Sequence, residues 1–505
     1  MSLSSTNAAD EPGLTTARGA ALYIGALLGP GLLLLPGLAA AEAGPASILA
    51  WLALLILSGL LAAVFAAWGR QSPSACGVIG YVTTGLGARA GLATGWTFLA
   101  GVVCGAPIVC LIGARYVTDL TGGGQLAGAG VAAALLLTVV SLAARGLRAS
   151  ATAQLVLVGV LTVVIVVASA GSVGSARAGN WTPFAPHGWP SVGSAAATLM
   201  FSFVGWEAVA PLTTRFANSR RQLPRVVAIA LAATSAIYLG LAVATISVLG
   251  PRAATDVPLA SLLSDAIGTA GRDIAALAAV VLTLGATNAY ISGAAAMAGQ
   301  LATAAPDRRA ARPVLWLLGA ITAAGLLLIS LWGLRIASTA ALVTVPTTLF
   351  LAVYLAAMLA GARVLRGPAR LASLPAAAAV IIVLGFCGWA LAVAAAVGLA
   401  ASWRRRSPLV RRPTTRAHPL RESAPTRASQ PHPGQCDALT GRSLHRQQRR
   451  PGPTRPIRAA VLSGREARDL KLRMHTLDPQ RRRNADVLPG RPERSEGSAP
   501  DRRGR

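Results

Sequence analysis

Two interrupted apolar stretches and one carboxyl group carry the chemistry that this sequence offers. Residues 24–36 run apolar except for Gly29, Pro30 and Gly31 near their middle. The two glycines weaken a helix there, and Pro30 removes a backbone donor from the ladder. Residues 201–207 repeat the pattern, with Gly205 at mid-run and Glu207 beside it. At membrane depth, broken backbone is tolerated only where it lines a cavity or is buried in protein. Half-helix N-termini then offer N–H groups to a carboxylate, and the opposing C-terminal ends offer carbonyls to an ammonium group. A zwitterion suits such a pair of ends. The plainer alternative for Gly29–Gly31 is a packing kink, since Gly and Pro are common in membrane helices. Glu207 is the one acid well inside an apolar run, a position that marks a solute pathway or a proton relay. The alternative is a carboxyl that caps backbone exposed at the break.

The elements that must hold these groups are membrane spans. Apolar runs long enough to cross a hydrocarbon core of roughly 30 Å recur from Gly19 to Trp403. The expected spans are 19–41, 46–68, 92–114, 124–144, 150–172, 192–213, 227–249, 273–301, 313–333 and 337–361, followed by an apolar region at 373–403. Read as one span, 373–403 leaves eleven in all. Read as two short spans meeting near Gly385–Gly388, it gives twelve, the favoured reading. The expected class is an all-α polytopic membrane protein, and the breaks in spans one and six sit five helices apart. That is the separation of two five-helix halves related by inverted repetition. Ala39, Ala40 and Ala41 loosely imitate a signal-peptide cleavage site, but the run before them is too long for one.

Charge divides the chain in two. The 505 residues carry 46 Lys+Arg against 18 Asp+Glu, a net +28. Residues 403–505 hold 26 basic and 9 acidic side chains, a net +17, and include the single lysine, Lys471. A single soluble globular domain is excluded for the body, because no such fold needs so many apolar runs. Within the body, fifteen arginines fall in segments on the side of the N-terminus, among them Arg18, Arg70, Arg145, Arg220, Arg308 and Arg366. Five fall on the other side: Arg115, Arg177, Arg252, Arg272 and Arg335. This bias places the N-terminus in the cytoplasm, with 173–191 as an outward interfacial loop. The domains are then 1–18 (cytoplasmic N-terminus), 19–403 (transmembrane body) and 404–505 (tail).

The tail is rich in Arg and Pro and has no sustained period, a composition that predicts disorder. It is read as an out-of-frame or otherwise unselected extension, or as a weak partner of anionic lipid head groups. Nucleic acid ranks last among its partners. Cys76, Cys104, Cys110, Cys387 and Cys436 show no metal or redox spacing. There is no phosphate loop, zinc-protease motif or nucleophile elbow, so no cofactor, no metal and no enzyme activity are expected.

At these residues the chain resembles the amino acid–polyamine–organocation (APC) permease superfamily over residues 15–403, most of all its bacterial amino-acid efflux branch. Gly29, Pro30 and Gly31 match a Gly-x-Gly in span one. Residues 73–78 resemble a Pro-Ser-Ala-Gly-Gly segment, and 201–207 match the Phe-x-Gly-x-Glu region of span six. Residues 218–224 resemble the loop that follows, and Asn288 to Tyr290 match a span-eight segment that faces the site. The resemblance implies a LeuT/APC-like five-plus-five fold with broken helices 1 and 6, working as a secondary active transporter.

It also implies substrate contacts at Gly29, Pro30, Gly31, Leu32, Val204 and Gly205, with Phe201 as an aromatic gate and Asn288 and Tyr290 on a further wall. Since Pro30 has no N–H, carboxylate binding rests on Gly31 and Leu32. Glu207 is the expected site of proton coupling. The aliphatic span-one lining suits a neutral, apolar amino acid such as methionine or a branched-chain one, moved by proton-coupled efflux. Import or exchange on the same fold, and a non-transporting sensor that signals through the tail, are the alternatives.

Overall fold

The computed structural model describes residues 14–71, 77–147, 151–206, 216, 218–303 and 313–403. The described residues are almost wholly helical, and their one β-bridge pairs Leu14 with Phe216. Nine of the helices are long and apolar enough to cross a membrane. Glu207, Arg308, Pro73, Cys76, Cys436 and the tail at 404–505 lie outside the described residues.

Span one is divided into α1 (Thr16–Leu27) and α2 (Leu35–Ala43), joined by a 3-10 turn over Pro30–Leu33. At 12 residues, α1 is about 18 Å long and cannot cross a bilayer by itself. α3 (Ser47–Gln71) returns, and α4 (Gly77–Leu86) follows it. The stretch before span three reads as a loop in sequence, yet α4 is helical. Its Tyr81 stacks on Trp68 of α3 at 5.0 Å, and packing on the helices Ala88–Thr121 and Thr339–Val364 makes a helix of a segment too short to signal one. α5 (Ala88–Thr121), α6 (Gln125–Ala144) and α7 (Ala151–Gly171) come next. α8 (Pro190–Leu199) runs into a 3-10 turn over Met200–Phe203.

Beyond the second break stand α9 (Ser219–Ala244), ended by a π-turn at Thr245–Leu249, and the short α10 (Pro258–Ile267). α11 (Ala270–Thr303), α12 (Pro313–Gly333) and α13 (Thr339–Val364) are long apolar helices. The last apolar region is two helices, α14 (Pro368–Gly385) and α15 (Ala390–Trp403), parted at Phe386–Trp389.

α5 lies at the centre, packed by α4, α6, α11, α12, α13 and α15. Small residues let it do so. A Cβ on Gly113 would stand 2.6 Å from Thr283 Oγ1 of α11, and one on Gly101 would stand 2.9 Å from the Phe350 ring of α13. In lipid, such close approach is what drives helices together.

The polar ties divide between two ends. At one end Leu14 bridges Phe216, and Gln222 Nε2 donates to the Leu14 carbonyl at 3.2 Å. The other end carries the ion pairs of the described residues: Arg115–Asp256 at 2.9 Å, Arg272–Asp119 at 2.9 Å and Arg252–Asp265 at 3.3 Å. Glu42 and the 173–189 segment belong to this second end. Each exposed pair there contributes about 1 kcal/mol or less, so they locate the end more than they hold it.

Candidate functional site at the two helix breaks

The first break follows from backbone that cannot continue a helix. Leu28 N–H still donates to Ile24 O at 2.8 Å, closing the last turn of α1. Gly29 is then extended, at φ −95° and ψ 169°, and Pro30 opens the 3-10 turn where a missing N–H leaves nothing unsatisfied. Leu32 N–H donates to Gly29 O at 3.3 Å. Among the described residues nothing accepts from the Gly31 N–H.

The second break faces the first. Val204 is extended and Gly205 has φ +154°. A Cβ on Gly205 would stand 2.4 Å from the Ala26 carbonyl oxygen, so only glycine lets the second break lie on the end of α1. A Cβ on Gly31 would meet Ser202 Oγ at 3.0 Å, which places the two turns side by side.

Two tyrosines from other helices hold this arrangement. The buried Tyr238 hydroxyl of α9 lies 2.7 Å from both the Leu27 and the Ser202 carbonyl oxygens and shares its one proton between them. These carbonyls belong to the two breaks, so one side chain ties them together. On the opposite side Gly205 N–H donates to the Tyr354 hydroxyl of α13 at 3.0 Å. Trp206, fully buried, donates from Nε1 to Ser58 Oγ at 2.9 Å and meets Tyr23 edge-on, which anchors the chain just before Glu207.

Between the breaks is a cavity of about 190 Å³. Its wall includes Gly29, Pro30, Gly31, Phe201, Val204, Gly205 and Tyr290 of the residues that sequence singled out. Tyr290 meets Phe350 edge-on at 6.1 Å, and that ring in turn meets Phe98. Two expected residues are elsewhere. Leu32 is fully buried and absent from the wall. Asn288 points away from the cavity, and its Nδ2 donates to the Leu147 carbonyl at 3.1 Å, securing the chain end that follows α6. The reason is helical phase, since Ala286, Ala289, Tyr290 and Gly293 take the cavity face of α11.

Sequence reasoning missed three residues. Ser202 lines the cavity, and its buried Oγ has no hydrogen-bond partner among the described residues. Gln154 reaches the wall from the first turn of α7. Tyr238 is betrayed in sequence only by being the one aromatic in the apolar run 227–249. Among the described residues the wall therefore offers an N–H, the Ser202 hydroxyl and the Gln154 amide in largely apolar surroundings, and no charged side chain. Such a site can orient a small zwitterion by its ends and receive an uncharged side chain.

Residues 14–403 match the Amino acid permease family, and the chain belongs to it. It is a multi-pass membrane protein of a transporter family, not an enzyme. It is 31% identical over 403 residues to the uncharacterized amino acid permease YecA of Bacillus subtilis, covering 76% of this chain and 94% of that protein. It is 30% identical over 417 residues to the L-methionine/branched-chain amino acid exporter YjeH of Escherichia coli, covering 78% of this chain and 97% of that one. A methylthioribose transporter of Bacillus subtilis is 26% identical over 235 residues, 43% of this chain and 51% of that protein.

Proposed function

We propose that the chain is a secondary active transporter that exports neutral, aliphatic amino acids such as methionine and the branched-chain amino acids. The observation that carries this reading is the cavity between the two helix breaks, whose wall holds no charged side chain among the described residues. A dry cavity of about 150 Å³ accepts benzene, so about 190 Å³ has room for an amino acid with an aliphatic side chain. The substrate carboxylate takes the Gly31 N–H and the Ser202 hydroxyl. Phe201 and Tyr290 close over the side chain. Efflux is favoured by the likeness to YjeH, which is named an exporter.

In this reading twelve spans form two five-helix halves of inverted topology plus α14 and α15. The N-terminus is cytoplasmic, so the Glu42 end faces outward. Alternating access rocks the halves about the two breaks, with protons as the coupling ion and Glu207 as their carrier. Residues 404–505 form a tail outside the transport domain, at most a weak partner of anionic lipid.

Counterflow of labelled methionine, leucine and valine in proteoliposomes tests the reading, and all three should exchange. Glu207→Gln should keep counterflow and lose pH-dependent uphill export; unchanged proton coupling in that variant removes Glu207 from the mechanism. Substrate binding without flux would favour a sensor, and net uptake by intact cells an importer.

A further inference from the structure

In the transport reading α2 and α8 are the outward halves of the two broken spans, and they pack directly on each other. One carboxyl group links them. Thr198 Oγ1 of α8 donates to Glu42 Oε1 of α2 at 2.7 Å, and Thr198 is buried. The second oxygen, Glu42 Oε2, is also buried and has no hydrogen-bond partner among the described residues. The 173–189 segment straps over the same corner. His187 Nδ1–H donates to the Glu42 carbonyl at 2.9 Å, and Ala46 N–H donates to Phe184 O at 2.8 Å. Farther along, Asn180 Nδ2 donates to Ser247 O at 2.7 Å, tying the strap to the end of α9.

Resting on the transport reading, we propose that Glu42 is a second protonation site, and that proton binding there holds the outward halves of the broken spans together. The physical reason is the one-sided environment of the carboxyl. An ionised carboxylate needs partners for both oxygens, and this one has a single hydroxyl on one of them. Burying the other oxygen unpaired favours the neutral form, and a single hydrogen bond does not offset that. When α2 parts from α8, water reaches both oxygens and the charged form is restored. Protonation is therefore linked to the closed arrangement, and loss of the proton to the open one.

Among the described residues no neighbouring charge overrides this. α8 and residues 30–33, 44–46 and 245–249, all packed on α2, carry no titratable group. α3 carries only Arg70, at its far end. Residues 250–253 bring Arg252, whose guanidinium pairs with Asp265 at 3.3 Å. Thr255 lies against Gly37 of α2, and the adjoining Asp256 is paired with Arg115 at 2.9 Å. His187 is a further titratable neighbour, and its ring contacts the Glu42 backbone.

Hydrogen–deuterium exchange of peptides from 35–47 and 173–203 tests this without substrate, so its failure is separate from any failure of transport. In the full chain in lipid nanodiscs, exchange corrected for intrinsic rates is compared at about pH 5 and about pH 8. Wild type should exchange several-fold faster at the higher pH. Glu42→Gln, which keeps the hydrogen bond and cannot ionise, should stay slow at both. Thr198→Val should be faster than wild type at both. Equal pH dependence in wild type and Glu42→Gln overturns the proposal. So does pH dependence that vanishes in His187→Gln and survives in Glu42→Gln, which would make the imidazole the responding group. Should Glu42→Gln not fold, the wild-type pH response and its persistence in His187→Gln decide the matter.

Discussion

The two ends of the broken helices are held by different kinds of bond. At the Glu42 end, contacts run between a loop and helix termini: Phe184 to Ala46, His187 to Glu42, Asn180 to Ser247, with ion pairs around them. Most of these groups are part-exposed, and each can part from its partner and meet water. At the breaks, the contacts are backbone on backbone, fixed by Gly205 against Ala26 and by two buried tyrosine hydroxyls. A buried polar group that loses its partner there has nothing to replace it. The difference separates a rim that can open in steps from a hinge that tolerates little change.

The largest effect should come from Gly205→Ala. It places a methyl 2.4 Å from a backbone oxygen at φ +154°, so folded protein recovered from the membrane should fall sharply. The strain is on the order of 3 kcal/mol, and a fluorescence size-exclusion profile reads the loss. Next comes Tyr238→Phe, which removes the hydroxyl shared by the Leu27 and Ser202 carbonyls, leaves Leu27 O to the Gly29 N–H alone and should cost about 1–3 kcal/mol. A lower melting temperature and a raised KM should appear together. Asn180→Ala, at the rim, should cost about 1 kcal/mol or less. A loss as large as that of Tyr238→Phe would abolish the distinction between rim and hinge. The smallest effect belongs to Gln154→Leu, which should leave stability unchanged and shift preference toward larger aliphatic substrates by less than about tenfold. Competition between valine and leucine in counterflow measures it.

Both breaks were legible in the sequence, because Gly and Pro inside an apolar run cannot propagate a helix. The split of the last apolar region was legible too, since charge bias required the chain to return and Gly385 and Gly388 marked the place. α4 and α10 were not, as each is only ten residues long and becomes helical by packing on its neighbours. Asn288 was misdirected for a different reason. A residue's helix is readable from periodicity, but its direction within that helix depends on where neighbours stand, and Leu147 claims its amide. Ser202 sat within a stretch already singled out, and no local signal shows that its hydroxyl lacks a partner.

By itself the sequence determined that this chain spans a membrane with helices, where two of them break, and that a family of amino-acid permeases is the right frame. The first two depend on local composition (apolar length, missing N–H groups, glycine freedom), and the family frame rests on the resemblance of the motifs. Only the tertiary structure decided that the two breaks touch, that Tyr238 joins them, and that Glu42 and Thr198 meet across α2 and α8. Tyr238 reaches Ser202 36 positions away and Leu27 211 away, and Glu42 and Thr198 stand 156 apart at the rim; separations of that size leave no trace in periodicity.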